Sequence, residues 1–587
     1  MGFLKQDAPV VDYAEWSKGT RAERIVPMAR HWAEVGFGTP VVMHLFYVVK
    51  ILLYVLFAWL VVLTTRGIDG FTNVGAWYHE PIVYQKVVFY TMLFEIVGLG
   101  CGFGPLNNRF FPPMGSILYW LRPKTIRLPP WPNRIPLTAG DSRTPVDVAL
   151  YGALLVMLVV ALFSDGTGPI PELGSEIGVL PVWQTATILG LLALAGLRDK
   201  VLFLAARGEV YGALAVCFLF AGADIVIAAK LVCLTIWMGA ATSKLNKHFP
   251  FVISTMMSNN PVIRPRSIKR RFFEHFPDDL RPGRASRWLA HVSTAIEMLV
   301  PLALFFSHGG WVTAVAAFVM LCFHFGILSA IPMGVPLEWN VFMMFSVLAL
   351  FVGNAGIGLG DLHSPWPLVL FAVSAGTVVI GNLFPRKVSF LPGMRYYAGN
   401  WDTSLWCVKP SADAKIAAGI VAIASMPAAQ MEKFYGSRET AEMYQYMGYA
   451  FRSFNTHGRA MFTLAHRLMA GHDEAEYVLT DGERICSTAI GWNFGDGHMH
   501  NEQLIAALQK RCRFEPGEVR VLLLDAQPIH KQRQEYRLVD AATGEFERGY
   551  IMVADMVTRQ PWDDTVPVHV TWRRNGLPDA GDAADAP

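Results

Sequence analysis

Apolar runs of bilayer length recur through the first two thirds of the chain, separated by loops whose charge alternates in sign. Runs extend from Val41 to Leu63, Ile82 to Phe103, Val146 to Phe163 and Pro181 to Leu197, each near the twenty or so residues a helix needs to cross a bilayer. The stretch from Val201 to about Leu245 is too long for one span, and Gly222-Ala223-Asp224 within it is read as a hinge between two helices. Four more follow, from Trp288 to Ser307, Trp311 to Ile331, Asn340 to Val352 and Trp366 to Phe384, the third short enough to be tilted or partly re-entrant. The pattern predicts an all-α polytopic membrane domain of about ten transmembrane helices. Composition agrees, since 53% hydrophobic and 17% charged residues with a mean hydropathy of +0.33 exclude an ordinary soluble protein.

Loop charge predicts the orientation. The segment from Pro105 to Thr144 carries Arg109, Arg122, Lys124, Arg127, Arg134 and Arg143 against Asp141 alone, and Arg264 to Arg287 is the most basic stretch of the chain. Asp165, Glu172 and Glu176 fall in a loop without lysine or arginine. The positive-inside rule then puts the basic loops and both termini in the cytoplasm, with the protein multi-pass in the plasma (inner) membrane. No cleavable signal is expected, because the first apolar run is too long for a signal core. Residues 1–38, with RAERIVPMARHWAEVGF, are read as an interfacial amphipathic segment, and 39–388 as the transmembrane domain.

From 389 to 576 the composition is that of a soluble, cytoplasmic α+β domain, followed by a disordered tail at 577–587. Helical patterns cover Arg438 to Phe454 and Asn501 to Cys512; strand patterns cover Arg520 to Leu524, Glu535 to Val539 and Tyr550 to Val553, with Ala542-Thr543-Gly544 as a hairpin turn. The seven cysteines are too dispersed for a metal motif and are expected as free thiols. A net charge of +3 gives no reason to expect nucleic acid as a partner. Membrane lipids are the expected partners, a quinone is compatible, and the sequence leaves homo-oligomerisation open.

Chemistry concentrates in IWMGAATSKLNKHFP, where an apolar helix ends on Lys244 with Asn246, Lys247 and His248 beside it. Partial burial there would lower the lysine pKa and make it a base, whereas a lysine that snorkels to the headgroups is only an anchor. His44, Lys50, Glu95, Asp224, Lys230, His291, Glu297 and His324 also fall in or near apolar runs. Each costs roughly 2.5 to 3.5 kcal/mol at mid-bilayer on insertion scales, so together they predict a polar interior.

These residues carry a family resemblance. The Lys244 segment, EMLVPLALFF with Glu297, and FVMLCFHFGILSAIPMGVPLEWNVFMMFSVLALF with His324 resemble the vitamin K-dependent gamma-carboxylases and the horizontally transferred transmembrane domain. In that superfamily a Tyr-Phe-x-x-Gly-x-x-Lys-Leu run carries the catalytic lysine; Thr235-Ile236-Trp237 stands here in place of its Tyr-Phe. The resemblance covers Val201 to Leu350. It implies Lys244 as catalytic base with Glu297 and His324 in support, and Trp237, Asn246 and His248 as cofactor-binding residues. The chemistry implied is deprotonation of a hydroquinone, a menaquinol in a bacterial membrane, whose anion reacts with oxygen. Over its whole length the chain also resembles an actinobacterial family of transmembrane proteins defined by a domain of unknown function.

The soluble domain offers a second constellation in GWNFGDGHMHNEQLIAALQK, where Asp496, His498 and His500 are candidate metal ligands and Asn501 a natural N-cap. A basic, histidine-rich helix with His457, Arg459, His466, Arg467 and His472 could approach phosphates, and reads first as a solvated face. Two functions fit the chain: a quinol-dependent oxygenase or carboxylase-like enzyme, and a non-catalytic lipid-binding or scaffolding membrane component with a cytoplasmic interaction domain. Transport finds no support in matching broken helices.

Overall fold

The computed structural model describes residues 2–68, 70–101, 117–329, 337–492, 494 and 497–575. The tail at 577–587 and Asp496 lie outside them.

Helices occupy every predicted apolar run, but among the described residues only six are long and apolar enough to cross a membrane. We label the helices used below α1 (Arg21–Val35), α2 (Val41–Leu63), α3 (Pro81–Ile96), α4 (Pro145–Leu162), α5 (Val182–Arg198), α6 (Ala223–Ser243), α7 (Phe249–Asn259), α8 (Arg284–Phe306), α9 (Gly310–Leu328), α10 (Leu337–Ser346) and α11 (Trp366–Leu383). The candidate spans are α2, α4, α6, α8, α9 and α11. The structure therefore does not carry the count of about ten. Short helices fill the other positions: α3 is almost wholly buried, α10 runs into a π-helical turn at Val347–Gly353, and the segment before α6 breaks at a second π-helix, Gly208–Gly212. An apolar run alone cannot separate a short helix buried in protein from a lipid-facing span.

α6 is the axis of the membrane part. It is apolar on every face and nearly all of its residues are buried, as expected for a helix surrounded by protein. Gly239 lets the chain behind it come close, since a Cβ there would meet Met394 Cβ at 2.9 Å and Val378 Cγ1 at 3.1 Å. By contrast α2 turns Leu45, Val49, Leu52 and Phe57 outward, a lipid-facing surface in a chain of this composition.

A two-stranded hairpin, β1 (Phe273–His275) and β2 (Asp279–Pro282), lies between α7 and α8. The C-terminal region is built on a six-stranded antiparallel sheet of order β4-β3-β5-β6-β7-β8, with β3 at Thr403–Val408, β4 at Val478–Asp481, β5 at Val519–Leu524, β6 at Arg533–Asp540, β7 at Gly544–Met552 and β8 at His569–Arg573. β5 and β6 coincide with predicted strands, whereas β7 begins at Gly544, well before the predicted Tyr550; the turn falls one residue earlier than expected, at Ala541-Ala542-Thr543, and Val553 already starts a short helix. α12 (Arg438–Phe454), α13 (Thr456–Leu468) and α14 (Glu502–Cys512) pack around the sheet.

α1 forms where expected, closed by a Thr20–Glu23 capping box. It is not a free interfacial helix, however. Ile25, Met28, Ala29 and Trp32 are buried in one core with Tyr446, Met447, Ala450 and Phe454 of α12, and Arg21 pairs with Glu474. A protein surface with better shape complementarity takes the apolar stripe that sequence alone assigns to lipid. The membrane part and the sheet region likewise share a continuous core, into which Trp120 reaches to donate to the Ile490 carbonyl at 3.0 Å. All seven cysteines are free.

Candidate functional site

Lys244 stands at the C-cap of α6, where the chain turns sharply into α7. Asn246 makes that turn. Its side-chain oxygen accepts from the backbone N–H of His248 and Phe249 at 2.7 and 3.0 Å, and its amide donates to the carbonyls of Ser243 and Ala398. With its own polar atoms spent on backbone, Asn246 holds the corner and is not among the residues lining the cavity beside Lys244.

The Lys244 ammonium donates to Glu297 of α8, with side chains 9% and 7% exposed, and lies over the Phe249 ring at 5.4 Å. It is thus neither a headgroup anchor nor a lone amine. Earlier on α6, Trp237 Nε1 donates to Nε2 of His324 on α9 at 3.0 Å, and the other ring nitrogen, Nδ1, is 2.8 Å from Asn340 Oδ1. A donor at Nε2 and an amide oxygen at Nδ1 together require the neutral imidazole with its proton on Nδ1. Lys244, Glu297, His324 and Trp237 line one cavity of about 410 Å³, together with Arg207, Trp339, Asn340, Tyr396, Tyr397 and Phe494. Its outer wall is apolar, formed by Ile253, Met256, Met257, Phe323 and Ile327 from α7 and α9.

His248, predicted as a cofactor contact, does not line this cavity. It is buried at the joint with the sheet region, where Nδ1 meets Thr456 Oγ1 and Nε2 lies 2.5 Å from Gln527 Oε1. Burial pushes its pKa down to about 4, with Arg395 and Arg459 adding repulsion and Gln527 opposing. His457 and Arg459 are fully buried here too, not on a solvated face: His457 packs on Trp401, and Arg459 lies over Phe251.

Most other intramembrane charges are accounted for by packing. Lys50 pairs with Glu338 at 2.8 Å and donates to the Gly100 carbonyl. Glu95 accepts from the Cys101 N–H at 2.6 Å, Lys230 donates to the carbonyls of Asn354 and Ile357, and Asp224 accepts from His363 N–H and Ser364 Oγ.

The loop ahead of α14 is also built as a joint. His498 Nε2 bonds the Pro385 carbonyl at 2.8 Å, His500 Nδ1 lies 2.7 Å from Ser404 Oγ, and Lys200 donates to the His498 carbonyl at 2.6 Å. Asn501 is the N-cap of α14, as its sequence position predicts. Among the described residues no group of three or more His, Cys, Asp and Glu side chains is placed to hold a metal ion. His498 does border a small polar cleft with Arg386, Asp402, Glu502, Asp525 and Arg537. Burial pushes the Asp525 carboxyl up to about 7 there, although Arg537 donates to it at 2.7 Å.

Arg207, Trp339, Asn340, Tyr396, Tyr397 and Phe494 are among the cavity residues that sequence reasoning did not single out. Arg207 carried a faint signal, an arginine beside a glycine inside an apolar run; the others had none.

The model of a family described as transmembrane protein of unknown function, DUF3556, matches residues 1–571. The chain belongs to this family. No curated protein and no solved structure matches it. As a member of the family it is an integral membrane protein, mostly helical, with a sheet-containing C-terminal region.

Proposed function

We propose that the cavity binds a lipid-soluble hydroquinone and that Lys244 Nζ is the base that takes a proton from its hydroxyl. The observation carrying this reading is the convergence of Lys244 and Trp237 from α6, Glu297 from α8 and His324 from α9 on one largely apolar cavity. The residues fit such a ligand: aromatic and aliphatic walls suit a ring and its tail, and the few polar groups among them suit its oxygens. The bound hydroquinone would supply two electrons to an acceptor such as oxygen.

The chain's own part is proton handling. Lys244 already donates to Glu297, so the carboxylate is the group to which the ammonium can pass its proton before accepting another. His324 has both ring nitrogens engaged and acts as a positioning residue, fixing Trp237 and Asn340 in the wall. Placement in the plasma membrane with both termini cytoplasmic belongs to the same proposal, on the strength of the basic loops.

Oxygen consumption by the purified protein with a reduced quinone tests this reading. Wild type should turn over, Lys244→Ala should not, and Lys247→Ala, which changes an exposed lysine, should match wild type. Turnover that survives in Lys244→Ala, or no turnover with any quinone offered, removes the enzyme reading. The second reading, non-catalytic lipid binding, is favoured by one observation: Lys244 is already neutralised by Glu297, as a structural ion pair would be. Extracted lipid separates the two, because a stoichiometric quinone supports the first and phospholipid alone the second.

A further inference from the structure

Arg207 is the least ordinary residue of the cavity wall. It sits just before the π-helix Gly208–Gly212, and its own backbone is left-handed at φ +52° and ψ +47°. A non-glycine residue rarely adopts that conformation, and π-turns break a helix at a cost; both recur where a site needs a side chain aimed off the regular path. The guanidinium is buried. It pairs with Glu209 at 2.7 Å and is held among the rings of Trp339, Phe494 and Tyr396, with centroids 4.8, 4.9 and 5.6 Å from Cζ. Three rings packed around a guanidinium restrain the direction of its N–H groups.

One of those groups lacks a bond: Nη1 has no hydrogen-bond partner among the described residues. Nε is taken by Glu209 and the Tyr396 hydroxyl also bonds the guanidinium, but a buried N–H left without an acceptor is costly, so a ligand oxygen reaching Nη1 would gain a strong partner. Arg207 and Lys244 occupy different stretches of the wall. Lys244 has Phe249 and Glu297 around it, and Arg207 has Trp339, Phe494 and Tyr396. The wall between them is continuous, from Trp237 through His324 to Asn340 and the adjacent Trp339.

We infer that Arg207 is a specificity-determining residue that receives a second oxygen of the ligand, so that the cavity selects a ring bearing two oxygen substituents over a ring bearing one. The inference rests on the hydroquinone reading and sharpens it. Lys244 meets the oxygen that loses its proton, and Arg207 donates to the other. A mono-oxygen ring leaves the Arg207 N–H unsatisfied, which a site of this kind penalises by a factor far beyond what lost apolar contact gives.

The probes are 1,4-naphthohydroquinone and 1-naphthol, titrated anaerobically into purified full-length protein in detergent. Wild type should bind the first at least about tenfold more tightly. Arg207→Lys, which keeps the charge but loses the planar fork, should bring the two affinities within about twofold of one another, chiefly by weakening the hydroquinone. Arg207→Met combined with Glu209→Gln removes the ion pair as a neutral unit and guards against a folding defect; it should behave in the same way. Equal binding of both probes by wild type overturns the inference and leaves the hydroquinone reading intact, as does undiminished selectivity in a folded variant. Binding of neither probe by wild type overturns both.

Discussion

Lys244 and Glu297 join the C-terminal end of the axial helix α6 to the middle of α8 through a buried ion pair. Each partner sits where an isolated charge would be expensive, so the pair is all-or-none. Removing one side chain strands the other.

Lys244→Met and Glu297→Leu should therefore each destabilise the protein by about 3–5 kcal/mol, whereas the double variant should recover most of that loss. Thermal unfolding of the three variants in one detergent measures it. Additive losses in the double variant would mean that the pair is not coupled. Stability recovered without turnover in the double variant would separate the base from the packing.

His248 makes a pH prediction. Its pKa is pushed down to about 4 in the folded protein against 6.5 for a free imidazole. Between those values the unfolded chain binds more protons, so stability is intact above about pH 6.5 and falls as the pH drops towards 4. His248→Gln should flatten this acid limb while leaving the neutral-pH melting temperature less affected. An unchanged acid limb would assign the acid sensitivity to other groups.

α1 packs against α12, so the start of the chain and the C-terminal region share one core, and they are expected on the same side of the membrane. Trp32 is fully buried in that contact, and Trp32→Ala should cost about 3–5 kcal/mol and make α1 accessible to limited proteolysis. Reporters fused at either terminus should both give a cytoplasmic signal. Signals of opposite sidedness could not be reconciled with the packing, and an exported signal from both would invert the orientation.

The loop before α14 gives a prediction that separates a joint from a metal centre. His498→Ala and His500→Ala should each lower the melting temperature, because Pro385 O and Ser404 Oγ lose their partners. Chelation of wild type should leave it unchanged. A matching drop on chelation would instead establish a bound metal, with Asp496 the first further ligand to test.

Much of this protein is legible from local pattern. The apolar runs, the capping residue Asn501 and parts of three C-terminal strands depend on neighbours a few residues away, so the sequence alone places them, whereas β3, β4 and β8 are not read from it. The same holds for Lys244, Glu297 and His324 as rare charged or polar groups in apolar surroundings, each of which needs a partner. What the sequence could not supply is which partner. Asn246 and His248 stand next to Lys244 in the chain, yet the turn spends one on backbone and the helix geometry sends the other into the joint with Thr456 and Gln527. Arg207, Trp339 and Phe494 are distant in sequence and meet only because the break before α6, α10 and the loop ahead of α14 return to one cavity. Whether an apolar run faces lipid or protein was likewise decided by the tertiary structure, since burial in either medium satisfies the same hydrophobic pattern and only the packing of the whole chain selects between them.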